Sequence, residues 1–414
     1  MKKEVLALCA VGLFLTTLAT PVSALSLQVT KKSIVSTATA AIQKPNSNVP
    51  DQAGTVSFDN LESRIRKGNP AVLSLQASLD AQKAFNRDVA SKELVDGINQ
   101  LADSAWLMQA IPGAVASINA NIDALKKQLD AIKEDEYQET LERATRQIDN
   151  AMDQVILGGQ SLYLSILTYE VNLADMERAL TALQRSVTEM EARYQLGQVS
   201  ELTLLQLKTT QQNTKSQAES MKLAIAKMKS SLSYLLGENQ NASLTLTGLK
   251  QDYKQTNSLL SMDYPTALKR AKENSFAIYS ANMTLKDAKE VWEDAKEDYG
   301  LSGYKYKMAE QTYQSAVYTH DASLKNFELS LQALHQAISE AQLGYNTAEL
   351  GLRNQEKVYA AAQVKYEQGQ ISSYQLQAAN EELLAAQSAL KLANIKLFTV
   401  LNQYSWAVEQ GVIG

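Results

Sequence analysis

The chain has 414 residues, with 45 acidic and 40 basic side chains, a net charge of −5 and 21% charged residues. That length allows two or three ordinary domains, and so mild an acidic balance provides no polyanion-binding surface, which sets nucleic acid aside. A single cysteine, Cys9, excludes an internal disulfide framework and any thiolate-rich metal site.

Taken in chain order, residues 1–24 read as an export signal. Lys2 and Lys3 precede the apolar run VLALCAVGLFLTTLA, and VSA ending at Ala24 is a small-residue cleavage site. A retained anchor is the alternative reading, for which the run is short. Leu8 ahead of Cys9 is too bulky for a lipoprotein signal, so no lipid anchor is expected and the mature chain carries no thiol. Residues 25–56 are rich in Ser, Thr, Asn and Pro without a period and read as a flexible lead-in.

Helical patterning begins near Ser57. All six prolines lie at or before Pro265 and none falls between Pro112 and Pro265, so the long stretches of Ala, Leu, Gln, Lys and Glu run unbroken. Apolar residues recur in alternating steps of four and three at Leu162, Ile166, Tyr169, Leu173, Met176, Leu180, Leu183, Val187, Met190 and Tyr194. The same rhythm runs through Leu324, Phe327, Leu331, Leu334, Ile338, Ala341, Tyr345, Ala348 and Leu352. A sustained period of about 3.5 residues keeps one seam facing a partner helix, which is coiled-coil packing. A helix over about 115–194 would be roughly 120 Å long, so the molecule is expected to be elongated.

Each of these helices is expected to stop at a glycine. RYQLGQVSELTLLQ begins at Arg193, and KYEQGQISSYQLQ begins at Lys365. Gly197 and Gly369 can take the positive φ that ends a helix, and Ser200 and Ser372 can cap the helix that follows. The returning seam is Leu204, Leu207, Gln211, Thr214, Ala218, Met221, Ile225, Met228, Leu232 and Leu235. Adding 172, the difference between positions 197 and 369, gives Leu376, Ala379, Leu383, Ala386, Leu390, Ala393, Leu397, Val400, Tyr404 and Ala407. Two matched turns with matched seams are an internal duplication. The organisation is therefore a first helical repeat over 57–237, a linker over 238–262 and a second helical repeat over 263–411. ASLTLTGL within the linker alternates like a short strand or extended segment.

The arrangement resembles the TolC-like outer-membrane efflux family. The resemblance is carried by Asn69–Pro70, its partner Asn274–Ser275, and the two turns, and it covers nearly all of the mature chain. It implies an all-α fold of two tandem repeats of long antiparallel coiled-coil hairpins, closing into an α-barrel on trimerisation. It also implies a homotrimeric efflux conduit in the cell envelope. The hairpin tips, here Gly197, Gln198, Val199, Gly369, Gln370 and Ile371, would dock a periplasmic adaptor that links the tunnel to an inner-membrane pump. Two departures stand out. Family members insert strand pairs that build an outer-membrane barrel, but AWLMQAIPGAVASI and DYGLSGYKYKM are too short for two spanning strands each, so a tight helix-to-helix turn is expected. The family also often places an acidic residue six positions after the tip glycine, where this chain has Thr203 and Gln375.

Other features have a plain and a sharp reading. Trp106, Leu107, Met108, Ile111, Tyr299, Tyr304 and Tyr306 fall at the end opposite the tips, as loop packing or as a membrane contact near Trp106 and Tyr304. Gln211 and Thr214 break the returning seam, either fixing register or facing water in a tunnel wall. His320 and His335 lie fifteen residues apart without ligand spacing, and KEDEYQE from Lys133 reads as a solvated helix face. No nucleophile triad, phosphate loop or nucleotide fingerprint occurs, so neither an enzyme nor a cofactor is expected. The alternatives to a conduit are a coiled-coil spacer of the envelope or cell wall and a helical pore-forming toxin. The matched tips argue against the first, and the absence of a long tongue between helices argues against the second.

Overall fold

The computed structural model describes residues 51–107, 112–133, 136–239, 243–249 and 262–413. The expected signal sequence and most of the lead-in lie outside these residues. In chain order the elements are β1 (Thr55–Val56), α1 (Phe58–Gly68), α2 (Pro70–Lys83), α3 (Arg87–Leu107), α4 (Pro112–Lys133), α5 (Glu136–Gln195), α6 (Glu201–Leu235), β2 (Thr245–Leu246), α7 (Tyr264–Asn274), α8 (Phe276–Tyr299), α9 (Tyr304–Glu367) and α10 (Ser373–Glu409). The fold is all-α, as the periodicity and the resemblance both imply. At 60 and 64 residues, α5 and α9 are each roughly 90 Å long.

Where one helix was expected from about Val115 to Tyr194, the structure has two, α4 and α5, on either side of residues 134–135, which lie outside the described residues. The lead-in also ends earlier than expected. Thr55–Val56 is a strand, and it pairs in parallel with Thr245–Leu246 inside the ASLTLTGL segment.

The described residues form two compact units. One is built on Gln43–Thr256 with Ala341–Thr399, the other on Asn257–Glu340 with Val400–Ile413. In the first, α5 packs along α6, α1 and α2 pack on α5, and α3 packs along α4. Every position of the seam returning along α6 is buried or half-buried, and so is every position of its counterpart along α10. α5 and α6 pair because the period holds along them. Near the start of the α5 seam the buried stripe widens to include Tyr163, Leu164 and Leu167. There the helix meets α1 and the strand pair as well as α6. The hydroxyl of Tyr163 reaches the carbonyl of Val56 at 3.1 Å and that of Thr247. Burial pushes its pKa up to about 12.

Asp51 closes the same region. Its carboxylate accepts from the Ser57 hydroxyl at 2.6 Å, the Ser57 N–H at 3.1 Å, Asn60 at 2.9 Å and Arg64 at 2.8 Å. Burial raises its pKa, but these hydrogen bonds outweigh it and hold the group below the ordinary carboxylate value.

In the second unit the α8–α9 hairpin has its own small core. Leu285 and Ala316 pack with Ala288, Tyr313 and Val317, and Trp292 stacks on Tyr313 with centroids 5.2 Å apart. Residues 300–303 carry the chain straight from α8 into α9, so the second repeat has the tight helix-to-helix turn expected of it. In the first repeat the same place is filled by α3 and α4, and residues 108–111 between them lie outside the described residues. Among the described residues strand is confined to β1 and β2, and no helix is long and apolar enough to cross a membrane.

Candidate functional site

The two hairpin tips fall in the same unit and are built alike. Gly197 has φ 71° and Gly369 has φ 71°. The Gly197 N–H donates to the Tyr194 carbonyl at 2.9 Å and the Gln198 N–H to the Arg193 carbonyl at 2.9 Å. In the second tip Gly369 donates to Tyr366 at 2.9 Å and Gln370 to Lys365 at 2.8 Å. This is the Schellman closure, which satisfies the last carbonyls of a helix and needs a left-handed residue at its centre. An L side chain in that conformation costs roughly 1 kcal/mol or more, which is why glycine stands at both places.

The helices leaving the tips are capped in ways that explain Thr203 and Gln375. The Ser200 hydroxyl accepts from the Thr203 N–H at 3.2 Å and lies 2.8 Å from the Thr203 hydroxyl. The Ser372 hydroxyl accepts from the Gln375 N–H at 3.3 Å, while the Gln375 side chain accepts from the Ser372 N–H at 2.9 Å. The second arrangement is a reciprocal capping box. Where an acidic residue was the family expectation, these positions close a helix start.

Of the six tip residues expected to meet a partner, Gly197, Gln198, Gly369 and Gln370 are exposed, whereas Val199 and Ile371 are half-buried. Sequence reasoning missed the apolar residues beside them. Leu196 is 72% exposed, Leu202 64% and Tyr374 67%. Leu202 and Tyr374 are equivalent under the repeat, and both lie off the seam. An apolar residue that the seam does not use was the signal available.

Below the tips the two hairpins are joined by polar contacts between α5 and α10. Arg185 pairs with Glu381. Ser388 donates to Asp175 at 2.6 Å and accepts from Arg178 at 2.7 Å. Gln211 lies in the seam and donates to Gln184 across the first hairpin, the kind of contact that a register role requires.

At the other end of the return helices each repeat has a latch that the sequence only hinted at. Asn69 caps α2, accepting from Ala71 at 2.9 Å and Val72 at 3.1 Å, and donates to the Leu235 carbonyl at 2.9 Å. In the second repeat these tasks are divided. Ser275 caps α8, and Asn274 donates to the Val408 and Glu409 carbonyls at 3.2 and 2.8 Å. Each return helix then ends on a glycine pressed against the break. A Cβ on Gly237 would stand 1.9 Å from the Gly68 oxygen, and one on Gly411 would stand 2.3 Å from the Ser275 nitrogen.

The remaining candidates are placed singly. Trp106 is 70% exposed and Tyr304 is 71% exposed, whereas Tyr306 is buried, and Met108 and Ile111 lie outside the described residues. His320 is buried, with Nδ1 2.9 Å from Asp321. His335 packs between the rings of Tyr264 and Tyr404, at 5.1 and 5.7 Å. Among the described residues no three His, Cys, Asp or Glu side chains converge as metal ligands.

Duplicated hairpins with Schellman tips and latched bases define a tandem helical-hairpin protein. No protein-family model and no curated protein sequence matches the chain. Among solved structures it is similar to the outer membrane protein VceC from Vibrio cholerae, with 14% identity and a TM-score of 0.53, over 85% of this chain and 96% of that one. It is also similar to the CmeC outer membrane channel of Campylobacter jejuni, with 14% identity and a TM-score of 0.51, over 70% of this chain and 68% of that one. The chain thus has the fold that its resemblance to TolC-like channels implied.

Proposed function

We propose that the chain is a TolC-like efflux conduit of the cell envelope, exported by its N-terminal signal and assembled as a homotrimeric α-helical tunnel. Its tips, at Gly197, Gln198, Val199 and at Gly369, Gln370, Ile371, dock a periplasmic-type adaptor connected to an inner-membrane pump. The conduit performs no chemistry of its own. Substrate moves along the lumen while the pump supplies the energy.

The observation that carries this reading is an apolar stripe that one chain leaves uncovered. On α9, Leu343 is 68% exposed and Leu350 66%, one heptad apart, and Val364 is 51% exposed two heptads further on, past Lys357. Leu343 and Leu350 each lie two residues ahead of the seam positions Tyr345 and Leu352, about 200° around the helix. A helix with a seam on both sides packs between two neighbours, as the staves of a closed wall do.

Electron microscopy of the purified mature protein tests the assembly. The expected particle is a three-fold ring with a central hole; solid rods or lone chains would replace the conduit with the spacer reading. Docking is tested by cysteine crosslinking, which is clean because Cys9 lies within the expected signal. Gln198→Cys and Gln370→Cys are expected to crosslink to the adaptor, and a cysteine on the exposed Tyr234 is not.

A further inference from the structure

The turn between α8 and α9 exposes more apolar surface than the hairpin needs to close. Gly300 has φ 63°, and a Cβ on Gly303 would stand 2.7 Å from the Tyr299 carbonyl oxygen. Just inside the turn the aromatic residues are already packed. Trp292 stacks on Tyr313 and meets Tyr306, with centroids 6.3 Å apart. Outside it Leu301 is 65% exposed, Tyr304 71%, Met308 65% and Tyr299 46%. The Lys305 ammonium lies 4.5 Å above the Tyr299 ring and donates to its hydroxyl at 3.1 Å.

Charge changes sign at the same place. Residues 287–298 carry six carboxylates and two lysines, whereas residues 299–309 carry Lys305 and Lys307 alone. The apex is therefore aromatic, aliphatic and cationic on an acidic shaft. Leu301 lies in the turn itself, Tyr299 closes α8, and Tyr304 and Met308 open α9 one helical turn apart, an apex that a fluid surface conforms to. Tyrosine at headgroup depth, aliphatic groups at the acyl boundary and lysine beside phosphate is the arrangement that a membrane interface favours.

We propose that the α8–α9 turn is a membrane-interface anchor for a bilayer bearing anionic headgroups. Leu301 enters the acyl boundary, Tyr299, Tyr304 and Met308 lie at headgroup level, and Lys305 and Lys307 meet the phosphates. The proposal rests on the envelope location given above, and it specifies how this end meets lipid.

The test is flotation of the full mature chain with vesicles of phosphatidylcholine alone and of phosphatidylcholine mixed with phosphatidylglycerol. The wild type is expected to float with the mixed vesicles and less with the neutral ones. Leu301→Ser with Tyr304→Ser is expected to lower the bound fraction about tenfold on both. Lys305→Gln with Lys307→Gln is expected to reduce binding to the mixed vesicles to the level of the neutral ones. Unchanged thermal melts establish that the variants fold. Binding that persists in the serine variant overturns the proposal, as does a wild type that floats with neither vesicle. If the three-fold ring forms while flotation fails, the anchor is wrong and the conduit stands. Flotation without a ring has the opposite meaning.

Discussion

The two hairpins differ most along their charged edges. Along the edge of the first, Lys229 pairs with Glu170 at 2.7 Å, Lys222 with Glu177 at 3.1 Å and Lys208 with Glu191 at 2.7 Å. These rungs fall a heptad or two apart in one antiparallel register. The missing rung joins Gln184 and Lys215, and Gln184 pairs with Gln211 instead. Under the repeat the equivalent positions of the second hairpin are Gln342, Glu349 and Gln363 on α9 and Leu401, Asn394 and Asn380 on α10, residue types that offer no such ladder. The Schellman bonds of the two tips, by contrast, agree one for one. A reversal of the chain depends on backbone geometry, which one residue type meets. An exposed edge pair is worth only a few tenths of a kcal/mol, so its residues can diverge.

The bases give the strongest way to break the comparison. Gly237→Ala and Gly411→Ala each set a methyl group against backbone, and each is expected to cost about 3 kcal/mol or more, read as a lowered thermal midpoint. If either is neutral, that latch is not a close approach in solution.

The division of labour at the breaks predicts an asymmetry. Asn69→Ala removes both a cap and a latch and is expected to cost about 2–3 kcal/mol. Asn274→Ala removes only the latch and is expected to cost about 1 kcal/mol. Equal losses in chemical denaturation would refute the divided role.

Position 163 is Tyr in the first repeat, and its equivalent in the second is His335. The Tyr163 pKa is raised in the fold to about 12, above the ordinary value near 10. Its contribution is therefore complete below about pH 10 and is lost as pH rises towards about 12. The thermal midpoint is expected to fall over that window, and Tyr163→Phe is expected to remove that part of the fall. A persisting alkaline transition in the variant would assign it to another group.

The smallest effect belongs to the ladder. Lys222→Met is expected to lower the thermal midpoint slightly at low salt, and less in high salt as screening grows. Asn394→Leu in the second hairpin is expected to show no salt dependence. If both melts respond equally to salt, the two edges do not differ electrostatically.

Much of this was legible from the sequence. The 3.5-residue period, Gly197 and Gly369, and the caps at Ser200 and Ser372 are local, so neighbouring residues suffice to state them. Thr203 and Gln375 looked like departures from a family pattern until their hydrogen bonds identified them as partners of the caps. The strand at Thr55–Val56 was not legible, because two residues have no period and the partner strand lies about 190 residues away. Gly237 and Gly411 were equally silent, since the sequence records a glycine but not the backbone pressed against it.

The sequence by itself determined the helices, their seams and the doubled turn, because each depends on spacing along one chain. Only the tertiary structure decided which asparagine latches which helix end, where Glu meets Lys across a hairpin, and which leucines remain exposed. Those depend on side chains from distant segments meeting at specific distances, and a periodic pattern leaves that register open.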